Sequence, residues 1–230
     1  MSLNAVLFDM DGTLVDSESM HFECWSQLLA PYNVSYNEVE FCQRFSGRPT
    51  LEAAIDIKNE HNLAVSAQFL ADEKYRLFGE YVKTNLPPVM PFTKQTLHAV
   101  KNSGLKMALV TGSARSEAMP ILKGLGFYEL FDTVVTKDDV TNPKPAGDPY
   151  LLALEHIHVA PEHAIAVEDT FTGVCAATNA QVRVVAIANH HTIDHDFSKA
   201  TYKMADLGEF WQWVESVSYT HLTLPTKRIV

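Results

Sequence analysis

The sequence predicts an α/β protein: a parallel sheet covered by helices on both faces, with an all-helical segment inserted after the first strand. An apolar run, Ala5-Val6-Leu7-Phe8, ends on Asp9-Met10-Asp11-Gly12-Thr13-Leu14-Val15-Asp16-Ser17, a strand followed by a glycine-containing turn. From Ser17 to about Asn85 no strand pattern appears, only amphipathic stretches separated by helix-start signals. Beyond that point short apolar runs alternate with helical stretches, the pattern of a parallel sheet with crossover helices.

Taken in order, the first strand is Ala5 to Phe8. In the helical block, Ser35-x-x-Glu38 reads as a capping box, Pro31 and Pro49 interrupt helices, and Thr50 reads as the cap of the next one. Pro87-Pro88-Val89-Met90-Pro91 stiffens the chain, because each proline fixes its own φ and restricts the residue before it; the string reads as a hinge or linker. Strands are then expected at 105–110, 133–136, 164–167 and 182–188, with helices at 93–103, 114–124, 148–157 and 171–180. The organisation is a core of residues 1–16 and 87–217, a helical insertion of 17–86, and a tail, 218–230, whose Ser-Tyr-Thr-His-Leu-Thr-Leu-Pro-Thr-Lys-Arg-Ile-Val continues no earlier pattern and reads as appended. In such sheets the working groups lie at the carboxyl ends of the strands, where Asp9, Thr111 and Glu168-Asp169 stand.

Composition bounds the function. The 230 residues suffice for one sizeable core or a main domain with a smaller insertion, and 47% hydrophobic with 20% charged residues describes an ordinary globular chain. A net charge of -10 with no basic run sets nucleic acid aside as a partner. Cys24, Cys42 and Cys175 have neither disulfide nor zinc-ligand spacing and read as buried thiols in a reducing compartment. No run approaches the ~20 apolar residues of a membrane span, and Met1-Ser2-Leu3-Asn4 leads straight into the first strand, so a cytoplasmic protein without membrane contact is expected. Monomer and dimer stand as equal alternatives.

In an extended segment residues i and i+2 point the same way, so Asp9 and Asp11 aim two carboxylates at one spot. That is costly unless a cation sits between them, and a hard divalent ion such as Mg2+, which takes carboxylate oxygens and usually brings a phosphate, is the natural partner.

Four stretches, the Asp9–Ser17 string, Thr111 after Met107-Ala108-Leu109-Val110, Lys144 in Asn142-Pro143-Lys144-Pro145, and Glu168-Asp169 after Ala164-Ile165-Ala166-Val167, together resemble the haloacid dehalogenase superfamily. The resemblance covers roughly residues 3–217 and is nearest to the phosphatase and β-phosphoglucomutase-like branch with a helical cap. It implies a Rossmann-like core, a small phosphorylated substrate and Mg2+ as cofactor. Asp9 matches the nucleophile that forms an aspartyl phosphate, and Asp11 the acid and base, for which neighbouring carboxylates would raise its pKa. Thr111 matches the donor to a phosphoryl oxygen. Lys144 matches the charge-balancing lysine, a kind of donor typically worth about 3–4 kcal/mol. Metal ligands fall on Asp9, Asp11 through its backbone carbonyl, Asp169, and Glu168 directly or through water.

Within the cap, His21 and Trp25 lie i,i+4 on one helix face; His21 reads equally as a substrate contact or as a histidine on the seam between cap and core. Gly47-Arg48 matches the cap loop that enters the site in relatives, with Arg48 suited to a second anionic group or else a surface arginine, and Ser113 and Arg115 are placed to line the same pocket. Asp148-Pro149 reads as a helix N-cap and first-turn proline, and His190, His191, Asp194, His195 and Asp196 as a solvated loop without metal-site spacing. Asp11 argues against a dehalogenase, and Thr50, three residues after the cap-loop glycine, stands where a phosphonatase carries its lysine. Thr13-Leu14, Ser17 and Ala114-Arg115 depart from the β-phosphoglucomutase pattern, which favours hydrolysis over the alternative of phosphotransfer. A non-catalytic binding module on this scaffold is the remaining alternative, and the joint presence of Asp9, Asp11, Lys144 and Asp169 weighs against it.

Overall fold

The computed structural model describes residues 3–222. Its sheet is parallel throughout, in the order β3-β2-β1-β4-β5-β6, formed by β1 (Ala5–Phe8), β2 (Lys106–Val110), β3 (Thr133–Val135), β4 (Ala164–Glu168), β5 (Arg183–Ala186) and β6 (Tyr202–Lys203). The expected strands are present within a residue or two, while β6, two exposed residues at the edge, is too short to carry a readable pattern.

Alternation along the strands sends successive side chains to two separate cores. Val6, Phe8, Met107, Leu109, Ile165 and Val167 pack on one face against α5 (Thr93–Asn102), α6 (Arg115–Gly124) and α9 (Leu207–Leu222). Ala5, Leu7, Ala108, Val110, Ala164 and Ala166 pack on the other against α7 (Asp148–Ile157) and α8 (Phe171–Asn179). The alanines on this second face let Tyr150, wholly buried, lie close to the strands. The expected tail 218–230 lies largely outside the described residues; α9 continues through its first part.

Between β1 and α5 the chain forms α1 (Glu18–Leu29), α2 (Glu38–Phe45), α3 (Thr50–Glu60) and α4 (Ala67–Tyr81), which close over a hydrophobic cluster of their own that includes Trp25, Phe41, Phe45, Ile57 and Leu70. Three helix starts differ from expectation. Asn37, not Ser35, caps α2, its side chain accepting from Val39 N at 3.0 Å, because a short amide in extended backbone satisfies the orphan donor directly. Pro49 holds the cap position of α3 and Thr50 is its first helical residue. Likewise Gly147 precedes α7, and Asp148 sits in its first turn, where it accepts from Asn142 Nδ2 at 2.8 Å.

The two strands of linker between cap and core run side by side. Asp16 N donates to Pro88 O at 2.8 Å, Met90 N to Leu14 O at 3.0 Å, and Val15 pairs antiparallel with Val89. The proline-rich string is thus half of a two-stranded linker.

Candidate active site

β1 lies between β2 and β4, where the chain's crossovers diverge to opposite sides of the sheet, and this switch point leaves a crevice at the strand ends. Asp9 follows β1 directly, its N–H held by Val167 O at 3.0 Å. Gly12 then turns the chain at φ 80°; a Cβ there would lie 2.1 Å from Asp169 Oδ2, so glycine is required both by the backbone and by the approach of that carboxylate.

Lys144 reaches the same point from the loop before α7, with Nζ 2.6 Å from Asp9 Oδ1 and 2.5 Å from Glu168 Oε1. Tyr150 Oη donates to the same Glu168 oxygen at 2.6 Å, whereas Glu168 Oε2 is buried without a partner. Glycine at 173 permits this, since a Cβ there would stand 1.8 Å from Glu168 Oε2. Asp169, at the end of β4, accepts from Asn189 Nδ2 at 2.8 Å, and that amide also donates to Gly12 O at 3.1 Å. Thr13 Oγ1 donates to the second Asp169 oxygen at 3.3 Å.

Among the described residues, ligand atoms of Asp9, Glu168 and Asp169 lie within 4.8 Å of one another. Three buried carboxylates against one ammonium, together with the unpartnered Glu168 oxygen, form an all-oxygen donor set with excess negative charge, which fits a hard divalent cation. Burial pushes the Asp9 carboxyl up to about 8, Glu168 and Asp11 adding to the rise while Lys144 opposes it. Burial likewise raises Asp169 well above the carboxylate range, with Asp9 and Glu168 reinforcing it. Burial works against the Lys144 charge, but the two carboxylates outweigh it and raise its pKa.

The Asp11 carboxylate stands outside this group of ligand atoms. It accepts from Ser17 Oγ at 2.5 Å and Ser113 Oγ at 2.6 Å, with Thr111 Oγ1 at 3.4 Å and His21 Nε2 in a charge contact at 3.7 Å. Burial would raise its pKa, but His21 and the two serine hydroxyls hold it well below the usual carboxylate range. The expectation of a raised value for Asp11 is therefore reversed: hydroxyls and an imidazole surround it, not carboxylates.

Above these groups lies a cavity of about 740 Å³, walled by the core loops below and by the cap helices above. His21 lines it and stacks on Phe78 at 3.9 Å between ring centroids, which places it on the seam between cap and core. Gly47 lines it with φ 69°, and a Cβ there would lie 2.4 Å from Thr170 Cγ2; the cap loop touches the core beside Asp169. Ser113 lines the cavity, and Arg48 does so with its guanidinium engaged by Asp56 at 2.9 Å and Glu52 at 3.8 Å. Arg115 is a correction: it does not line the cavity but pairs with Asp139 at 2.7 Å, because as the first residue of α6 it points toward the loop after β3. Thr111 caps no helix; its Oγ1 accepts from Ser113 N at 3.0 Å. Asn189, Tyr150 and Gly173 were not anticipated. The one signal that bears on them is the polar loop after β5, of which Asn189 forms the start.

Residues 6–187 match the family model described as haloacid dehalogenase-like hydrolase. The chain is 35% identical over 185 residues to the phosphorylated carbohydrates phosphatase of Thermotoga maritima, covering 78% of this chain and 82% of that protein. It is 31% identical over 209 residues to the validoxylamine A 7'-phosphate phosphatase of Streptomyces hygroscopicus subsp. limoneus, covering 88% and 93%. The crystal structure of CbbY from Rhodobacter sphaeroides in complex with phosphate shares the fold at a TM-score of 0.79 and 24% identity, covering 90% of this chain and 96% of that one. The chain belongs to the haloacid dehalogenase-like hydrolase family, among its phosphatases.

Proposed function

We propose that the protein is a Mg2+-dependent phosphomonoesterase that removes phosphate from a small phosphorylated carbohydrate, with Asp9 as nucleophile and an aspartyl phosphate between two displacements. The observation that carries the reading is the convergence of Asp9, Asp11, Lys144 and Asp169 beneath one cavity. The relatives named for phosphorylated carbohydrates and for a 7'-phosphate support the substrate class.

Asp9 attacks phosphorus, the bond from phosphorus to the leaving oxygen breaks, and Asp11 delivers a proton to that oxygen. Asp11 then takes a proton from water as the water attacks phosphorus, which frees Asp9 and releases inorganic phosphate. The contacts with Ser17, Ser113 and His21 that keep Asp11 ionised suit it to this second, basic role. An anionic phosphoryl group arriving beside it raises its pKa and lets it carry the proton for the first. Lys144 balances charge on Asp9 and the phosphoryl oxygens, and Thr111 Oγ1 is the neighbouring donor to one of them. Asp9, Asp169 and Glu168, the last directly or through water, would hold Mg2+. When bound, the ion offsets carboxylate repulsion and polarises the phosphoryl group. The two paired linkers are the only covalent connections between cap and core, and movement of the cap about them would exclude bulk water. Unbridged, buried Cys24, Cys42 and Cys175 suit a cytoplasmic setting, and among the described residues no helix is long and apolar enough to cross a membrane.

The test is phosphate release from a panel of sugar and other metabolite monophosphates, with Mg2+ or with chelator. Mg2+-dependent release from a carbohydrate phosphate is expected. No release, with conversion of β-glucose 1-phosphate to glucose 6-phosphate once a bisphosphate primer is added, would replace the phosphatase with a mutase.

A further inference from the structure

If the phosphoryl end of the substrate meets Asp9 and Lys144, the remainder lies against the cap side of the cavity. Among the described residues, each cation lining that side is already engaged. Arg48 donates to Asp56 Oδ2 at 2.9 Å and lies 3.8 Å from Glu52. Lys74 is buried against Glu117 at 3.0 Å. Lys137 sits 3.7 Å above the Tyr75 ring and 3.7 Å from Asp138. Carboxylates also line this side, namely Glu18, Glu52 and Asp72. Glu18 is buried, with Ser46 Oγ donating to Oε2 at 2.9 Å, and Asp72 accepts from Gln68 Nε2 at 2.8 Å.

We propose that the leaving group is an uncharged polyhydroxylated alcohol, and that the capture of Arg48 by Asp56 and Glu52 excludes substrates bearing a second anionic group. This rests on the phosphatase reading of the same site. Carboxylates accept hydrogen bonds and donate none, so Glu18 and Asp72 call for donors on the ligand, which hydroxyls supply. The amides of Gln68 and Asn142, also in the lining, each give one N–H to Asp72 and Asp148 and keep a second N–H as the complementary donor. The apolar faces of Trp25 and Tyr75 accommodate the carbon skeleton. A second phosphate or a carboxylate would have to displace Asp56 from Arg48 while lying among Glu18, Glu52 and Asp72; like charges placed together are how a site rejects a wrong ligand.

The experiment measures kcat/KM of the full chain with Mg2+ on matched pairs that differ in one anionic group: fructose 1-phosphate with fructose 1,6-bisphosphate, and glucose 6-phosphate with 6-phosphogluconate. The uncharged-tail member is expected to be preferred by about tenfold or more in whichever pair is turned over. Asp56→Asn, a change outside the cavity lining, should narrow that ratio about threefold, and adding Arg48→Gln to it should restore the ratio. Equal turnover within the pairs, or a ratio that Asp56→Asn leaves unmoved, overturns the proposal while the phosphatase stands. Absence of phosphate release from every compound, these and the wider panel alike, overturns both.

Discussion

At the scale of single residues the site is a problem in charge. Asp9, Glu168 and Asp169 are buried together, and Lys144 supplies one positive charge to the first two. Asp9→Asn keeps the shape and removes one carboxylate from this excess. Turnover should fall by about a thousandfold or more, while the Tm in chelator at pH 8 equals or exceeds that of the parent. Activity and melting of the same preparation check both halves, and a variant that loses its fold instead would contradict the charge argument. Gly12→Ala meets the opposite constraint: its Cβ would overlap Asp169 Oδ2, and the φ of 80° is strained for any side chain. Loss of Mg2+ binding by calorimetry, with the cap cluster still folded, is the expected outcome. Asp9, Asp11, Lys144 and Asp169 were legible because Asp9 and Asp169 directly follow strands, Asp11 stands two residues on in the same string as Asp9, and Lys144 sits between prolines. Asn189, Tyr150 and Gly173 were not, since an asparagine in a polar loop, a tyrosine and a glycine in helices have many commoner uses. Only the fold brings them to Asp169 and Glu168.

At the scale of elements, α4 of the cap is joined to α6 of the core by Lys74 and Glu117, whose side chains are 4% and 1% exposed. Glu117 also accepts from Ala114 N at 2.8 Å, which closes the start of α6. Lys74 lies over the Phe78 ring at 4.6 Å, and Phe78 in turn stacks on His21. A buried pair of this kind is costly to break from one side, because the remaining charge has no solvent to turn to. Lys74→Met should therefore cost about 3–5 kcal/mol, a fall in Tm of roughly 10 °C for a chain of this size. The double variant Lys74→Met/Glu117→Gln should recover more than half of it, because the orphaned carboxylate is gone. Thermal melts of the two variants decide; a double variant no better than the single would mean that the loss is one of packing. Helix and strand positions were readable from periodicity, but this contact was not. Its members are 43 residues apart on elements with no common pattern, and a lysine on an amphipathic helix ordinarily faces water.

At the scale of the whole molecule, a proton and the proposed metal would compete for the carboxylates of Asp9 and Asp169. The Asp9 carboxyl is raised to about 8, against about 3.9 for an unfolded aspartate, and Asp169 is raised in the same direction. Between those values the folded state binds protons that the unfolded chain has released. Stability without metal is therefore lost as pH rises from about 4 through about 8. Burial lowers His191 and His195 from their ordinary value, which acts with the opposite sign: their contribution is present above about 6.5 and is lost as pH falls below it. The two trends offset one another in a simple melt, and a Mg2+ titration separates them. A divalent cation requires Asp9 and Asp169 ionised, so its binding releases protons and strengthens with pH, whereas the histidines contribute equally with and without it. The difference in Tm between Mg2+ and chelator should widen from pH 5.5 to pH 8, and it should shrink with a shallower slope in Asp9→Asn. A difference that stays constant across that range would place the metal somewhere other than on these carboxylates.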